Sequence, residues 1–338
     1  MDQSHVPTAA APRQPASIWL GLLVLYGVWG STYLGIAVAV ETIPPFLMAA
    51  ARFALAGSVL FAWSLARARG AFPWPTRREW RDSAITGALL LGGGMGFVAW
   101  GEQTIPSGIA ALVIATMPVW TTVLGRILLG QRLPGLALVG ISIGFVGVAV
   151  LVGPTVLGTT GALDPAGLGA ILLSPLSWAL GSLYASHRAI LPGHPLVATS
   201  AQMLTGAVAL TILAALTGEP ARLDVGGISA RSIVAFLYLA IIGSLLAFTV
   251  FGWMLRVAPL PLVTTYAYVN PVVAVILGAI VLQEPIEPRT LVAGGIIVIG
   301  VALIVTARGR MAAPRLVSPR PAPSVPPAAP APSPTASD

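Results

Sequence analysis

The chain of 338 residues has no cysteine. That absence removes disulfide frameworks, thiolate metal sites and cysteine nucleophiles together. Lysine is absent as well: all 18 basic residues are arginine, set against 11 acidic ones. Charge of either sign is scarce, at 9% of residues, where soluble domains carry about 25%. So few charges cannot cover a water-facing surface. With 56% hydrophobic residues and a mean hydropathy of +0.89, the solvent is lipid. No H-E-x-x-H, G-x-S-x-G or phosphate-loop pattern occurs, and no cofactor or metal is expected. A membrane enzyme would need a clustered acid/base or metal set near an interface, and the sequence shows none.

A net charge of +7 can signal nucleic acid. Here the arginines flank apolar segments and form no basic face, so no nucleic-acid partner is expected. The expected partners are membrane lipid and a small-molecule solute; nothing in the sequence sets an oligomeric state.

A membrane-crossing helix needs about 20 mostly apolar residues. Ten such runs occur, near 18–39, 45–66, 81–101, 107–129, 134–152, 166–187, 196–217, 231–254, 260–282 and 290–307. Prolines fall at many of their starts, where a missing N–H costs least. No cleavable signal is expected, because residues 1–16 are polar and the first apolar run is long enough to cross. Fourteen of the 18 arginines fall in the tails and the even-numbered connections. The opposite connections hold only Arg222, Arg231 and Arg289, with Glu41, Glu102, Asp164, Glu219, Asp224, Glu284 and Glu287. The arginine-rich side is cytoplasmic by the positive-inside rule. Both termini are therefore expected inside, which an even helix count also requires. Trp19, Trp63, Trp74 and Trp80 fall at that boundary as an interfacial belt. The tails, 1–17 and the Pro/Ala-rich 311–338, are expected to be disordered.

The two halves resemble each other. At an offset of 153, Trp100 meets Trp253, Pro106 meets Pro259, Pro118 meets Pro271, and Gly125 meets Gly278. Near an offset of 150, Trp29 and Tyr33 face Trp178 and Tyr184, and Arg52 falls on Gln202. This implies two five-helix repeats, 18–152 and 166–307. Five is odd, so the second repeat must enter the membrane from the opposite side. The expected fold is thus all-α, with ten transmembrane helices in two inverted repeats. Carriers use such halves to expose a midplane site to alternate sides.

Candidate chemistry inside the membrane is sparse. Arg52 lies seven residues into the second run, about 10 Å below its outer end at 1.5 Å per residue. A membrane-buried arginine marks an anion site or gate, or caps backbone carbonyls between helices. Pro118 and Asn270-Pro271 sit mid-run and free a carbonyl each; they break helices beside a substrate site, or only kink them. Trp29, Ser31 and Tyr33, with Trp178 and Tyr184, and with Tyr266, supply aromatic faces and hydroxyls for an amphipathic solute, or ordinary packing. Trp100 completes the set expected to line the cavity. Glycines at spacing three or four, Gly140, Gly144 and Gly147 among them, let helices approach closely. No Asp, Glu or His lies at mid-membrane, so proton coupling would fall to Glu102 or His187 at the ends of the third and sixth runs.

YGVWGSTYLGI, PPFLMAAARFALAG, PSGIAALVIATMPVW, SWALGSLYAS and TTYAYVNPVVAVILG together resemble the EamA family of the drug/metabolite transporter superfamily, and most closely its YedA-type and pigment-exporter-type bacterial members. The likeness covers about 18–307. It implies ten helices, a bacterial inner-membrane location, and efflux of drugs, metabolites or amino acids. It also implies a central cavity lined mainly by the first, third, fourth, sixth, eighth and ninth helices. The expectation is therefore an alternating-access carrier of a small organic solute, not an enzyme. A sugar-phosphate or nucleotide-sugar antiporter is the nearest alternative, although phosphates need paired charge and only Arg52 is interior. A passive channel and a structural or sensory membrane protein are the remaining classes.

Overall fold

The computed structural model describes residues 16–68, 70, 72–131, 133–156, 163–258, 260–263 and 265–312. The tails expected to be disordered lie outside these residues except at their inner edges, where helix continues. The first helix, α1, spans Ala16–Ala39, and the last, α10, spans Pro288–Ala312. Between them run α2 (Pro45–Arg67), α3 (Arg77–Gly101), α4 (Ser107–Leu129), α5 (Gly135–Val156), α6 (Pro165–His187), α7 (Pro195–Leu216) and α8 (Ala230–Met254, continuing to Val257). The ninth, α9, spans Tyr266–Val281. Among the described residues no strand forms. Nine of these helices are long and apolar enough to cross a membrane; α9 is a shorter apolar helix of 16 residues. The run expected over 260–282 is divided, with a turn of helix at Leu260–Val263 ahead of α9.

Local chemistry sets the ends. Pro45, Pro165 and Pro195 open their helices in the first turn, where no N–H is lost. Thr76 and Glu79 form a reciprocal capping box at the start of α3. Gly130 ends α4 at φ 65°, and Gln283, 153 positions on, follows α9 at φ 54°. In both places the next residue donates its N–H back to a glycine carbonyl, Gln131 to Gly125 and Glu284 to Gly278, each at 3.2 Å. The paired glycines and the paired left-handed residues thus build one stop signal twice.

Two segments depart from the α ladder. Ala88–Met95 in α3 and Leu239–Leu246 in α8 are π-helical, each eight residues long and 151 positions apart. Hydrophobic periodicity did not predict them.

Packing follows a matching pattern. The most extensive pairs are α5 with α10 and α2 with α7. α1 packs on α8 and α9, while α6 packs on α3 and α4. The α5–α10 seam is backbone against backbone. A Cβ on Gly300 would lie 2.6 Å from the Gly144 nitrogen, and one on Gly140 would lie 2.7 Å from the Gly300 carbonyl oxygen. Side chains cannot enter there, so the helices gain dispersion contact that lipid would otherwise supply.

Gly300→Val should force α5 and α10 apart at a cost of about 1–3 kcal/mol or more. The thermal midpoint in detergent should fall clearly. Gly295→Ala serves as control, since a Cβ there meets nothing within 4 Å, and its midpoint should hold.

Candidate functional site

Pro118 has no N–H to offer, so the carbonyl of Ile114 loses its helical partner. α4 breaks there into Ser107–Ile114 and Met117–Leu129. The side chain of Thr116, at the break, donates to the Val113 carbonyl at 2.6 Å. Pro271 does the same to Ala267, yet α9 continues through it, and the chain interrupts earlier, before Tyr266. The two prolines face one cavity of about 40 Å³, whose lining includes Tyr33, Ile114, Pro118, Tyr266, Asn270 and Pro271. Asn270 is 7% exposed and its Oδ1 has no hydrogen-bond partner. A buried amide oxygen without a donor calls for water or a ligand. The space admits water, which needs about 10–15 Å³, and is far below the roughly 300 Å³ of small-molecule sites. As it stands, the space is too small for an organic solute.

Aromatic rings close one side. Trp29 lies 4.8 Å from the Tyr266 ring, 5.1 Å from Phe251 and 5.6 Å from Phe248, joining α1, α8 and α9. Beside them, Ser31 and Tyr238 share a hydroxyl contact at 2.6 Å. Arg52 is 2% exposed, and its Nε donates to Ser244 Oγ at 2.8 Å within the π segment of α8. Its guanidinium also lies over Phe53, 4.9 Å from the ring centroid. Among the described residues no carboxylate lies within ion-pair distance of it. Arg52 thus ties α2 to α8 and is not in the cavity lining.

The other candidates lie elsewhere. Trp178 packs on Gly94, where a Cβ would come within 2.8 Å of its ring. Its neighbours Ser174 and Ser177 donate, both at 2.7 Å, to the Gly94 and Leu89 carbonyls of the α3 π segment. Trp100 packs in the cluster between α2 and α7 with Phe46 and Phe53. Tyr184 donates to Asp82 Oδ1 at 3.0 Å at the arginine-rich end. Asp82 is fully buried there and also accepts from Arg81 and from the Ile190 N–H. His187 is exposed, 3.4 Å from Gln131.

Three carboxylates at the arginine-poor end form the part of the site that sequence reasoning missed or left without geometry. Pro44 and Pro106 precede α2 and α4 and carry no capping side chain. Distant glutamates take that role. Glu219 Oε1 and Oε2 accept the N–H groups of Phe46 and Leu47 at 3.1 and 2.9 Å. Glu284 accepts those of Ser107 and Gly108 at 2.8 and 3.1 Å. Both carboxylates satisfy orphan donors and meet the positive helix end. A helix start made of proline, in lipid, was the available signal that a cap must come from elsewhere. Glu102, one residue past α3, is 6% exposed, and neither carboxyl oxygen has a partner. Burial pushes this carboxyl well above the usual carboxylate range, and the charge of Glu284 adds to the shift.

Residues 17–153 and 165–306 each match the EamA-like transporter family. The chain belongs to that family. Two full-length likenesses accompany the match. The "Uncharacterized inner membrane transporter YedA" of Escherichia coli (strain K12) is 37% identical over 312 residues, covering 91% of this chain and 96% of that protein. The "Probable amino-acid metabolite efflux pump" of Salmonella typhimurium is 28% identical over 303 residues, covering 83% and 92%. One solved crystal structure, described only as that of a protein, aligns with TM-score 0.57 at 21% identity over 89% of this chain and all of its own. That alignment shows a shared fold. As an EamA-like protein the chain is a membrane transporter.

Removing a buried cap has a measurable cost. Glu219→Ala should strip α2 of both N–H partners and lower stability by about 1–2 kcal/mol. The fall in thermal midpoint of the purified protein reads it. Glu219→Gln, which keeps one acceptor, should lose less.

Proposed function

We propose that the chain is a carrier exporting a small amphipathic organic solute across the bacterial cytoplasmic membrane by alternating access. Ten crossings would form two inverted repeats, 18–152 and 166–307, with both termini cytoplasmic. The observation that carries this reading is the cavity between Pro118 of α4 and Pro271 of α9, prolines 153 positions apart, with Tyr33 completing the wall. Prolines at matched positions around one space suit a site shared by two exchanging halves. Support comes also from the relatives, of which one is named an inner membrane transporter and another a probable amino-acid metabolite efflux pump.

The solute class follows from the wall chemistry. Tyr33, Tyr266 and Asn270 offer aromatic faces and an amide, and Trp29 backs them. Arg52 lies outside that lining; helix movement that brings it into the path would favour a solute that carries one carboxylate, such as an amino-acid derivative, because among the described residues it has no counter-ion. A phosphate would want a second cation, which disfavours the sugar-phosphate alternative.

Counterflow in proteoliposomes tests the reading. Vesicles loaded with unlabelled amino acids, polyamines and metabolites should accumulate trace label of one class, saturably. A channel or a non-transporting protein gives no counterflow. Arg52→Ala should lower transport of a carboxylate-bearing solute about tenfold or more, as loss of one charge-assisted contact implies, with membrane expression kept. Unchanged transport removes Arg52 from the solute path and leaves it as the tie between α2 and α8.

A further inference from the structure

The first turn of α4 is held by a single charged side chain from the connection between α9 and α10. Both Glu284 oxygens are engaged, at 2.8 Å on the Ser107 N–H and 3.1 Å on the Gly108 N–H. The fit is close: a Cβ on Gly278 would come within 2.9 Å of the Glu284 carboxyl carbon and 2.8 Å of Ser107 Oγ. A small cavity of about 20 Å³ adjoins the clamp, lined by Pro106, Gly108, Val275, Glu284 and Thr290. It has room for about one water.

Glu102 opens the α3–α4 connection that leads to the clamped Ser107. Its carboxyl is buried and neither oxygen makes a well-formed hydrogen bond. The groups that act on it are Tyr33 and the Ala37 backbone of α1 and Glu284 of the α9–α10 connection. No arginine among the described residues pairs with it: Arg231 meets Glu41 at 3.4 Å and Arg289 meets Glu287 at 3.0 Å. Two carboxylates that act on one another in a dry setting cannot both stay charged without water. Glu284 has its charge stabilised by two N–H groups and a helix end, so the neutral member is Glu102. A neutral carboxyl in that position needs a proton, and the proton leaves once water reaches the site.

Resting on the carrier reading above, we propose that Glu102 is a proton site that governs the arginine-poor gate: protonated, it lets the Glu284 clamp close over α4; deprotonated, it opens the clamp. A proton taken from outside would then close the outer gate after the solute has left, which is the order an exporter driven by inward proton flow requires. His187 is set aside because it is exposed at the other end, beside the neutral Gln131.

The sign follows from linkage. The carboxyl binds its proton more tightly in the closed, dry state than when hydrated. The bias toward closure is therefore full below the hydrated glutamate value of about 4.3. It is lost progressively as pH rises toward the raised value of the buried group.

The chain has no cysteine, so Ala111→Cys supplies a single thiol. Ala111 is 1% exposed, lines the central cavity and lies one turn below the clamp. A membrane-impermeant maleimide added outside cells should label it only when the outer gate opens. The rate is compared with that of the same chain carrying Glu102→Gln, so the thiol's own ionisation cancels. At about pH 8.5 the chain with Glu102 should label about tenfold faster than its Gln counterpart, and at about pH 5.5 the two should converge. A ratio flat across the range, whether labelling is fast or absent, overturns the proposal. Should Glu102→Gln fail to reach the membrane, infrared spectra decide: a protonated-carboxyl band at neutral pH that moves in Glu102→Asp supports it, and no such band overturns it. Labelling needs no solute. A pH response without counterflow keeps the proton gate and loses the carrier reading, whereas counterflow with a flat ratio does the reverse.

Discussion

Lipid offers no hydrogen bond to a stray N–H or C=O, and several irregular places in this chain's helical ladder are met by a side chain. Proline starts on α2 and α4 leave two N–H groups each, and Glu219 and Glu284 take them. In the π segment of α3, the Leu89 and Gly94 carbonyls accept from Ser177 and Ser174 of α6. Around the break in α4, Thr116 and Thr122 donate to the Val113 and Pro118 carbonyls of the same helix. Irregular backbone at membrane depth is costly unless protein or water meets it. These irregular places are therefore also where elements of the two halves are tied together, and where a carrier could bend.

The helices themselves were legible because hydropathy and proline punctuation are local. The wide spans from Ala16 to His187 and beyond lie close to the apolar runs, and the paired stop signals at Gly130 and Gln283 follow from the 153-residue offset. The divided ninth run was not legible. Its apolar residues are continuous across 260–282, and nothing in composition says that the interruption falls before Tyr266 and not at Pro271. The π segments were hidden for a similar reason: α and π turns use the same apolar residues, and only the neighbouring serines and the close packing of Gly93 and Gly94 reveal them.

The site was legible in part. Tyr33, Pro118, Tyr266, Asn270 and Pro271 do meet around one cavity, of which only Pro118 and Pro271 are a repeat pair. Trp100, Trp178 and Tyr184 have the right residue type, but Trp100 and Tyr184 lie near opposite helix ends, and a one-dimensional reading cannot tell which face of a helix turns inward. α3 directs Trp100 toward the α2–α7 cluster, and α6 directs Tyr184 toward Asp82. Asp82, Tyr238, Glu219 and Glu284 were passed over as topology markers or ordinary span residues. Their partners lie about 100 to 200 positions away in the chain, beyond the reach of any local pattern.

The halves differ most tellingly at one matched position. Glu284 and Gln131 stand 153 residues apart, each just past a left-handed residue and each donating its N–H to a paired glycine carbonyl. The backbone is the same, but the side chains are a carboxylate and an amide. The carboxylate holds the start of α4 in a charge-assisted contact, while the amide lies 3.4 Å from His187. A symmetric carrier would open equally readily to both sides. The charged member and the buried Glu102 lie at the arginine-poor end, whereas at the arginine-rich end the buried carboxylate is Asp82, already held by Arg81, Tyr184 and the Ile190 N–H. Matched backbones with unmatched side chains need not hold both ends shut equally tightly: a difference of one functional group between matched positions is enough to give two conformations unequal energies and so unequal populations.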